Sequence, residues 1–179
     1  MIDNPSVQSP CRIAEYLPLI RATDGLTLSQ VCTLSGLEPS TIQNWIKRGY
    51  VPHPVGKKYK ERHLARILLI SELRESMQID RVGSLLRYVN GDADDESDDI
   101  ITEERLYDVF CAMADTLDEK PLPLDRVGQV ARDAAQLLTD IPESDRERIQ
   151  NALRIMAYVY AANCCKRESE KLYEAIILD

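Results

Sequence analysis

Thr41, Gln43, Asn44 and Lys47 crowd into one short stretch of the chain. Ile42, Trp45 and Ile46 alternate with them at i, i+3 and i+4, the spacing of an apolar helix face. On such a helix the polar residues, with Ser40 before them, point away from the core. Gln and Asn each carry a donor and an acceptor side by side, which matches an adenine edge; Lys reaches guanine or phosphate. Just downstream, Arg48, His53, Lys57, Lys58, Tyr59 and Lys60 offer cations and donors suited to phosphate oxygens. The chemistry this pattern could perform is recognition of double-stranded DNA. Thr41, Gln43, Asn44 and Lys47 would read bases. Ser40, Arg48, His53, Lys57, Lys58, Tyr59 and Lys60 would hold the backbone.

The charge distribution isolates this stretch. The chain of 179 residues has net charge -8, yet residues 1–91 hold 12 Lys and Arg against 8 Asp and Glu, while residues 92–179 hold 10 against 22. A basic region inside an acidic protein says more about nucleic acid than the total charge does. A charge run alone is equally well explained by a solvated face, so the elements around it must decide.

Those elements read as helices. Ile13 to Ala22 is amphipathic, with Pro18 set to kink or divide it. Thr27-Leu28-Ser29-Gln30 is a capping box that opens a helix ending at Gly36, and Pro39 suits the first turn of the next, which ends at Gly49. Two short helices joined by so small a turn form a helix-turn-helix candidate. In YVPHPVGKKY, prolines and glycine forbid a helix, so Tyr50, Val51, Val55 and Tyr59 are expected in short extended pieces around a turn, a small wing. Lys60 to Met77 and Ile79 to Val89 return to helical spacing.

Asn90 to Asp99, NGDADDESDD, is expected to be a solvated acidic linker. Asp92, Asp94, Glu96 and Glu103 occupy calcium-loop positions, but Ser97 stands where the sharp turn needs glycine, which argues against calcium. Beyond it, three helices are expected. Thr102 caps the first; Lys120 to Leu124 ends it; Asp125 to Leu138 is the second. Ser144-Asp145-Arg146-Glu147 reads as a capping box opening a third, which reaches towards Leu178 and is roughly 50 Å long at ~1.5 Å per residue. Its middle is apolar around most of its girth, so one side needs a cover, and a second subunit is the simplest. The expected organisation is a DNA-binding domain over 1–89, a linker over 90–100 and a helical dimerisation domain over 101–179, mainly all-α.

Residues 26 to 86, by the order Thr27-Leu28-Ser29-Gln30-Val31, Gly36, Pro39, Ile42 through Gly49, and Tyr59 ahead of Leu64 and Leu73-Arg74-Glu75, resemble the DNA-binding domain of MerR-type regulators. The stretch is about a third of the chain. The whole layout is similar to an uncharacterised bacterial family of regulators with a helical C-terminal domain. The resemblance implies a winged helix-turn-helix, a transcription regulator and a homodimer. Gln43-Asn44-Trp45-Ile46 replaces the Arg-Tyr-Tyr-Glu run usual in that family, and Gly56-Lys57-Lys58-Tyr59 replaces its usual wing sequence. The fold is therefore implied more firmly than activation by promoter untwisting.

Other chemistry finds little footing. There is no Gly-rich phosphate loop, nucleophile elbow or paired Cys/His motif, so no enzyme, cofactor or metal is expected. Cys164 and Cys165 point about 100° apart on a helix and suit packing or a dimer seam better than one ion. No apolar run spans a bilayer and no secretory signal opens the chain, so the expected place is the cytoplasm. Two other functions fit: a protein-interaction adaptor whose head has lost DNA affinity, or a DNA-bending recombination accessory factor. The large tail disfavours the second. Nothing in the sequence names an effector.

Overall fold

The computed structural model describes residues 10–118 and 123–177. The opening residues 1–9, most of the expected break at Lys120 to Leu124, and Leu178 lie outside them. Eight α-helices make up the described fold: α1 Ile13–Ala22, α2 Leu28–Ser35, α3 Pro39–Lys47, α4 Glu61–Leu73, α5 Ile79–Asn90, α6 Glu103–Asp118, α7 Leu124–Gln136 and α8 Glu143–Ile177. A single turn of tighter helix spans Glu96–Asp98. The all-α expectation holds, and no helix among the described residues is long and apolar enough to cross a membrane.

Local signals fix the first helices as the sequence suggests. The Gln30 side-chain oxygen accepts from the Thr27 backbone N–H at 2.8 Å, and Thr27 Oγ1 accepts from the Gln30 N–H at 3.3 Å. Both donors would otherwise be orphans of the helix start. Gly36 closes α2 at φ 67°, a left-handed conformation that costs glycine little. Pro39 sits in the first turn of α3. In α1, Pro18 is accommodated without dividing the helix.

Three features differ from expectation, the first being that α4 ends at Leu73 rather than at Met77. The capping box at Ser144 to Glu147 does not form. Instead α8 starts at Glu143, the Asp145 N–H bonds to Pro142 O at 2.9 Å, and Ser144 Oγ turns to Asp145. The Pro142 carbonyl, rather than a serine hydroxyl, takes an N–H of the first turn. The expected wing strands reduce to two isolated bridges, Leu26 with Tyr59 and Val55 with Lys58. Between Val55 and Lys58 both central residues have positive φ, 58° at Gly56 and 63° at Lys57. That is the two-residue turn whose twist suits a tight hairpin.

Helix α4 is the centre of the molecule. Every residue from His63 to Ile70 is buried, so the helix is covered on all sides. It packs against α1, α2, α5, α6 and α8. One continuous core follows, running from Ile13 through Trp45 and Leu69 to Phe110, Met156 and Tyr160.

The acidic segment is not a free linker. Ala93 is buried, Asp94 bonds His53, and Arg62 grips the Glu96 carboxylate and the Ala93 carbonyl. Arg62 and His53, distant in sequence, hold these carboxylates down, where composition alone suggests mutual repulsion.

Candidate nucleic-acid interface

Helix α3 is short and strongly two-sided. Ile42 and Trp45 are buried, and Ile46 packs partly against the same core. The Arg74 guanidinium lies over the Trp45 ring, 5.5 Å from its centroid. This fixes the helix in rotation about its axis. Ser40, Gln43, Asn44 and Lys47 are exposed at i, i+3, i+4 and i+7, one polar stripe opposite the anchor. Thr41 is half-buried at the margin. No hydrogen bond or ion pair ties the Gln43, Asn44 or Lys47 side chain among the described residues, so their donors and acceptors face solvent.

The residues assigned to the phosphate backbone meet different fates. Lys57 stands exposed at the hairpin tip. Lys58 does not: its ammonium donates to the carbonyls of Thr23 and Gly25 at 3.0 and 3.2 Å. Lys60 donates to Asp24, at 2.6 Å to the carboxylate and 3.0 Å to the carbonyl, and holds that carboxyl below its ordinary value. Both lysines therefore pin the α1–α2 turn to the hairpin. Tyr59 is 4% exposed and packs edge-on to His63 at 5.8 Å, so it belongs to the core and offers nothing to a phosphate. Arg48 pairs with Asp80 and stacks over Tyr50 at 4.7 Å. His53 is exposed, with its backbone N–H and ring nitrogen both committed to Asp94 at 2.7 and 2.8 Å.

His63 illustrates a buried imidazole used structurally. Its Nδ1 accepts from the Lys60 backbone N–H at 3.1 Å, and Nε2 donates to His53 O at 3.1 Å. Burial pushes its pKa below the ordinary value, which keeps the ring neutral in this role.

A second arrangement joins α3 to the rest of the fold, and the sequence reading missed it. Arg66 is 2% exposed; its Nε donates to Tyr50 O at 2.6 Å, and its guanidinium pairs with the equally buried Glu103. Asn90 adds bonds to Ile101 O at 2.7 Å and to Glu103 at 3.2 Å. The Tyr50 N–H in turn bonds Trp45 O at 2.9 Å, at the end of α3. Tyr50's ring lies so close to Gly83 that a Cβ there would come within 2.4 Å of it. The signal for Arg66 was available: it is one cation within the apolar run Leu64 to Ile70.

Helix α8 carries the remaining surface feature. Ile149, Ala152, Leu153, Met156, Ala157, Tyr160 and Asn163 face the body. On another face Ile155, Tyr158, Ala162, Cys165, Ser169, Leu172 and Ile176 are all exposed, and they alternate by three and four residues. That is the spacing of a heptad. Among the described residues, Arg167, 3.5 Å from Glu75, is the last of α8 with an ion pair to the body. Among the described residues no cluster of three or more His, Cys, Asp or Glu has a metal-site arrangement, and the cysteines are free.

Residues 23–110 match a family described as a domain of unknown function, DUF1836. The matched stretch includes α3, the hairpin, the acidic segment and Glu103, and ends within α6. The uncharacterized protein YkrK of Bacillus subtilis (strain 168) is similar, at 25% identity over 128 residues, 69% of this chain and 52% of that protein. The chain thus spans about half the length of this curated relative. No solved structure matches it.

Proposed function

We propose that the chain is a sequence-specific DNA-binding transcription regulator of the bacterial cytoplasm, with a MerR-like winged helix-turn-helix head and no catalytic role. The observation that carries the reading is the stripe Ser40, Gln43, Asn44 and Lys47, exposed and unengaged on a helix fixed by Ile42 and Trp45. A reading helix needs this combination: a rigid mount and free side chains that can match base edges. Gln43 and Asn44 read bases, Lys47 and Thr41 sit at the edges, and Lys57 at the hairpin tip takes a phosphate. Lys58 and Lys60 serve by holding the wing in place. The protein acts as a homodimer through the α8 seam, so its site is an inverted repeat.

The engagement of Arg48, Lys60, Arg62 and Arg66 by carboxylates favours a second reading. With these cations neutralised, the head has less charge for phosphates, as a protein-interaction adaptor would. Selection of sheared bacterial genomic fragments by the purified protein at near-physiological salt separates the two. A palindromic motif enriched by the wild type and lost with Asn44→Ala supports the regulator. No enrichment, with no duplex retarded even at low salt, leaves the adaptor.

A further inference from the structure

Between α8 and Ser76 of the α4–α5 turn the surface folds into a recess of about 500 Å³, a size that suits a small ligand. Ile155, Tyr158, Val159 and Ala162 give it an apolar lining. That lining is held in shape. The Tyr158 hydroxyl donates to Leu124 O, at the start of α7, at 3.2 Å, which fixes the ring while the residue stays 41% exposed. Gly128 makes room for the contact: a Cβ there would lie 3.2 Å from the tyrosine oxygen. Glycine inside a helix costs stability relative to alanine, and here the space it leaves serves a residue of the recess.

The polar lining says what the ligand's other half is. Arg154 is exposed, and among the described residues its guanidinium has no ion pair or hydrogen bond. The half-buried Asn151 side chain, one turn before Ile155, is equally unengaged. Elsewhere on this helix Arg146 and Arg167 have carboxylate partners, Glu143 and Glu75. No carboxylate lines the recess, so its one cation is not offset there. A guanidinium binds a carboxylate by two parallel N–H bonds. One cation does not balance a phosphate dianion, and an apolar lining offers phosphate nothing.

We propose that this recess binds a small amphipathic carboxylate, whose oxygens accept from Arg154 and Asn151 and whose hydrocarbon tail lies against Ile155, the Tyr158 ring, Val159 and Ala162. Arg154, Ile155, Tyr158 and Ala162 are exposed, so a ligand reaches them without opening the core. Ile155, Tyr158 and Ala162 also belong to the exposed heptad face of α8. On the dimer reading, and resting on it, the ligand competes with the second copy for that face. Binding itself depends neither on the dimer nor on DNA, because it is measured on the protein alone.

The test is titration calorimetry of the full chain at neutral pH with hexanoate and with 3-phenylpropanoate, against hexanol, hexylammonium and inorganic phosphate. It is run on the wild type and on full-length Ile176→Glu, altered outside the recess, so that a second copy does not hide the site. Saturable heat is expected for the two carboxylates and none for the other probes. Arg154→Gln should weaken binding about tenfold or more, with circular dichroism confirming that the variant is folded. Lys171→Gln, farther out on α8, should bind as the wild type does. The proposal is overturned if neither carboxylate saturates at millimolar concentration in either protein. It is equally overturned if Arg154→Gln binds undiminished, or if hexanol or phosphate binds as well as hexanoate. A wild type that is monomeric by light scattering and still binds hexanoate removes the dimer reading and upholds the site.

Discussion

Asp94 holds His53 at two points: one carboxylate oxygen accepts from the His53 backbone N–H at 2.7 Å, and the other meets the ring Nδ1 at 2.8 Å. A residue of the acidic segment thereby sets the path of the chain between α3 and the hairpin. Desolvation works to raise the Asp94 carboxyl, but the bonds from His53 outweigh it, and the pKa falls below the ordinary 3.8. A lowered carboxyl contributes stability above pH 3.8 and loses it as pH falls through its folded value. Carbon-detected NMR titration should place the Asp94 midpoint below 3.8, and His53→Ala should move it upward. An unmoved midpoint would refute the contact.

Lys57 and Lys58 are neighbours with different work. Lys57→Ala should weaken binding to every duplex and lower the salt slope by about 0.9, one phosphate contact. Lys58→Ala should leave that slope unchanged and lower thermal stability, because it strips the Thr23 and Gly25 carbonyls of their donor. Fluorescence anisotropy across a salt series, paired with thermal melts, separates the two. Equal slope changes would mean that Lys58 leaves its carbonyls to reach DNA.

Breaking the buried pair should cost far more than replacing it. Arg66→Met takes the cation away from the buried Glu103 carboxyl, a loss of about 3–5 kcal/mol. Adding Glu103→Leu to it should restore most of that stability, since an apolar pair of similar size avoids the desolvation of two ions. Urea unfolding of the single and double variants measures this. A double variant no more stable than the single one would show that the pair itself, with Asn90, is indispensable to packing.

Asp99 carries the opposite sign from Asp94. Its carboxyl, raised from 3.8 to about 6, keeps its proton in the fold where the unfolded chain has lost it, so its contribution to stability falls as pH rises across that window. Asp99→Asn should therefore stabilise the protein at neutral pH by about 1 kcal/mol, after allowance for solvent screening. That corresponds to a melting point ~2–4 °C higher. Near pH 4 the difference should vanish. A gain that is the same at both pH values would come from something other than the charge.

The α8 seam predicts its own disruption. Leu172→Glu or Ile176→Glu places a charge on a heptad position that is exposed in one chain, and each should shift the protein from dimer to monomer by light scattering. The helical content should stay the same, because neither side chain touches the body. A wild type that is already monomeric would remove the seam from the dimer proposal.

Short-range chemistry was readable in the sequence, and long-range charge was not. Thr27, Gln30, Gly36 and Pro39 act within a few residues of themselves, so their roles in α2 and α3 followed from spacing alone. The α3 stripe was readable because Ile42 and Trp45 fix its rotation. The acidic segment misled: six carboxylates within ten residues look self-repelling until Arg62 and His53, some 30 to 40 residues away, are brought beside them. Lys58 and Lys60 misled for the same reason. Their partners, Thr23, Gly25 and Asp24, lie more than 30 residues upstream, and composition cannot show that a lysine is occupied. Tyr59 looked like a donor for phosphate and is instead a core ring.

Because α4 is sheathed by both the first helices and the last, the acidic segment is an unusual place to cut. Two polypeptides severed there would each carry half of a surface meant to be covered: α4 bare along its α6 and α8 sides in one, and Phe110, Leu153 and Met156 bare in the other. Neither piece has a reason to fold alone, but each presents the other's missing half. Mixed, they would behave as a complementing pair, with the Arg66–Glu103 contact bridging the break as a bond between two molecules.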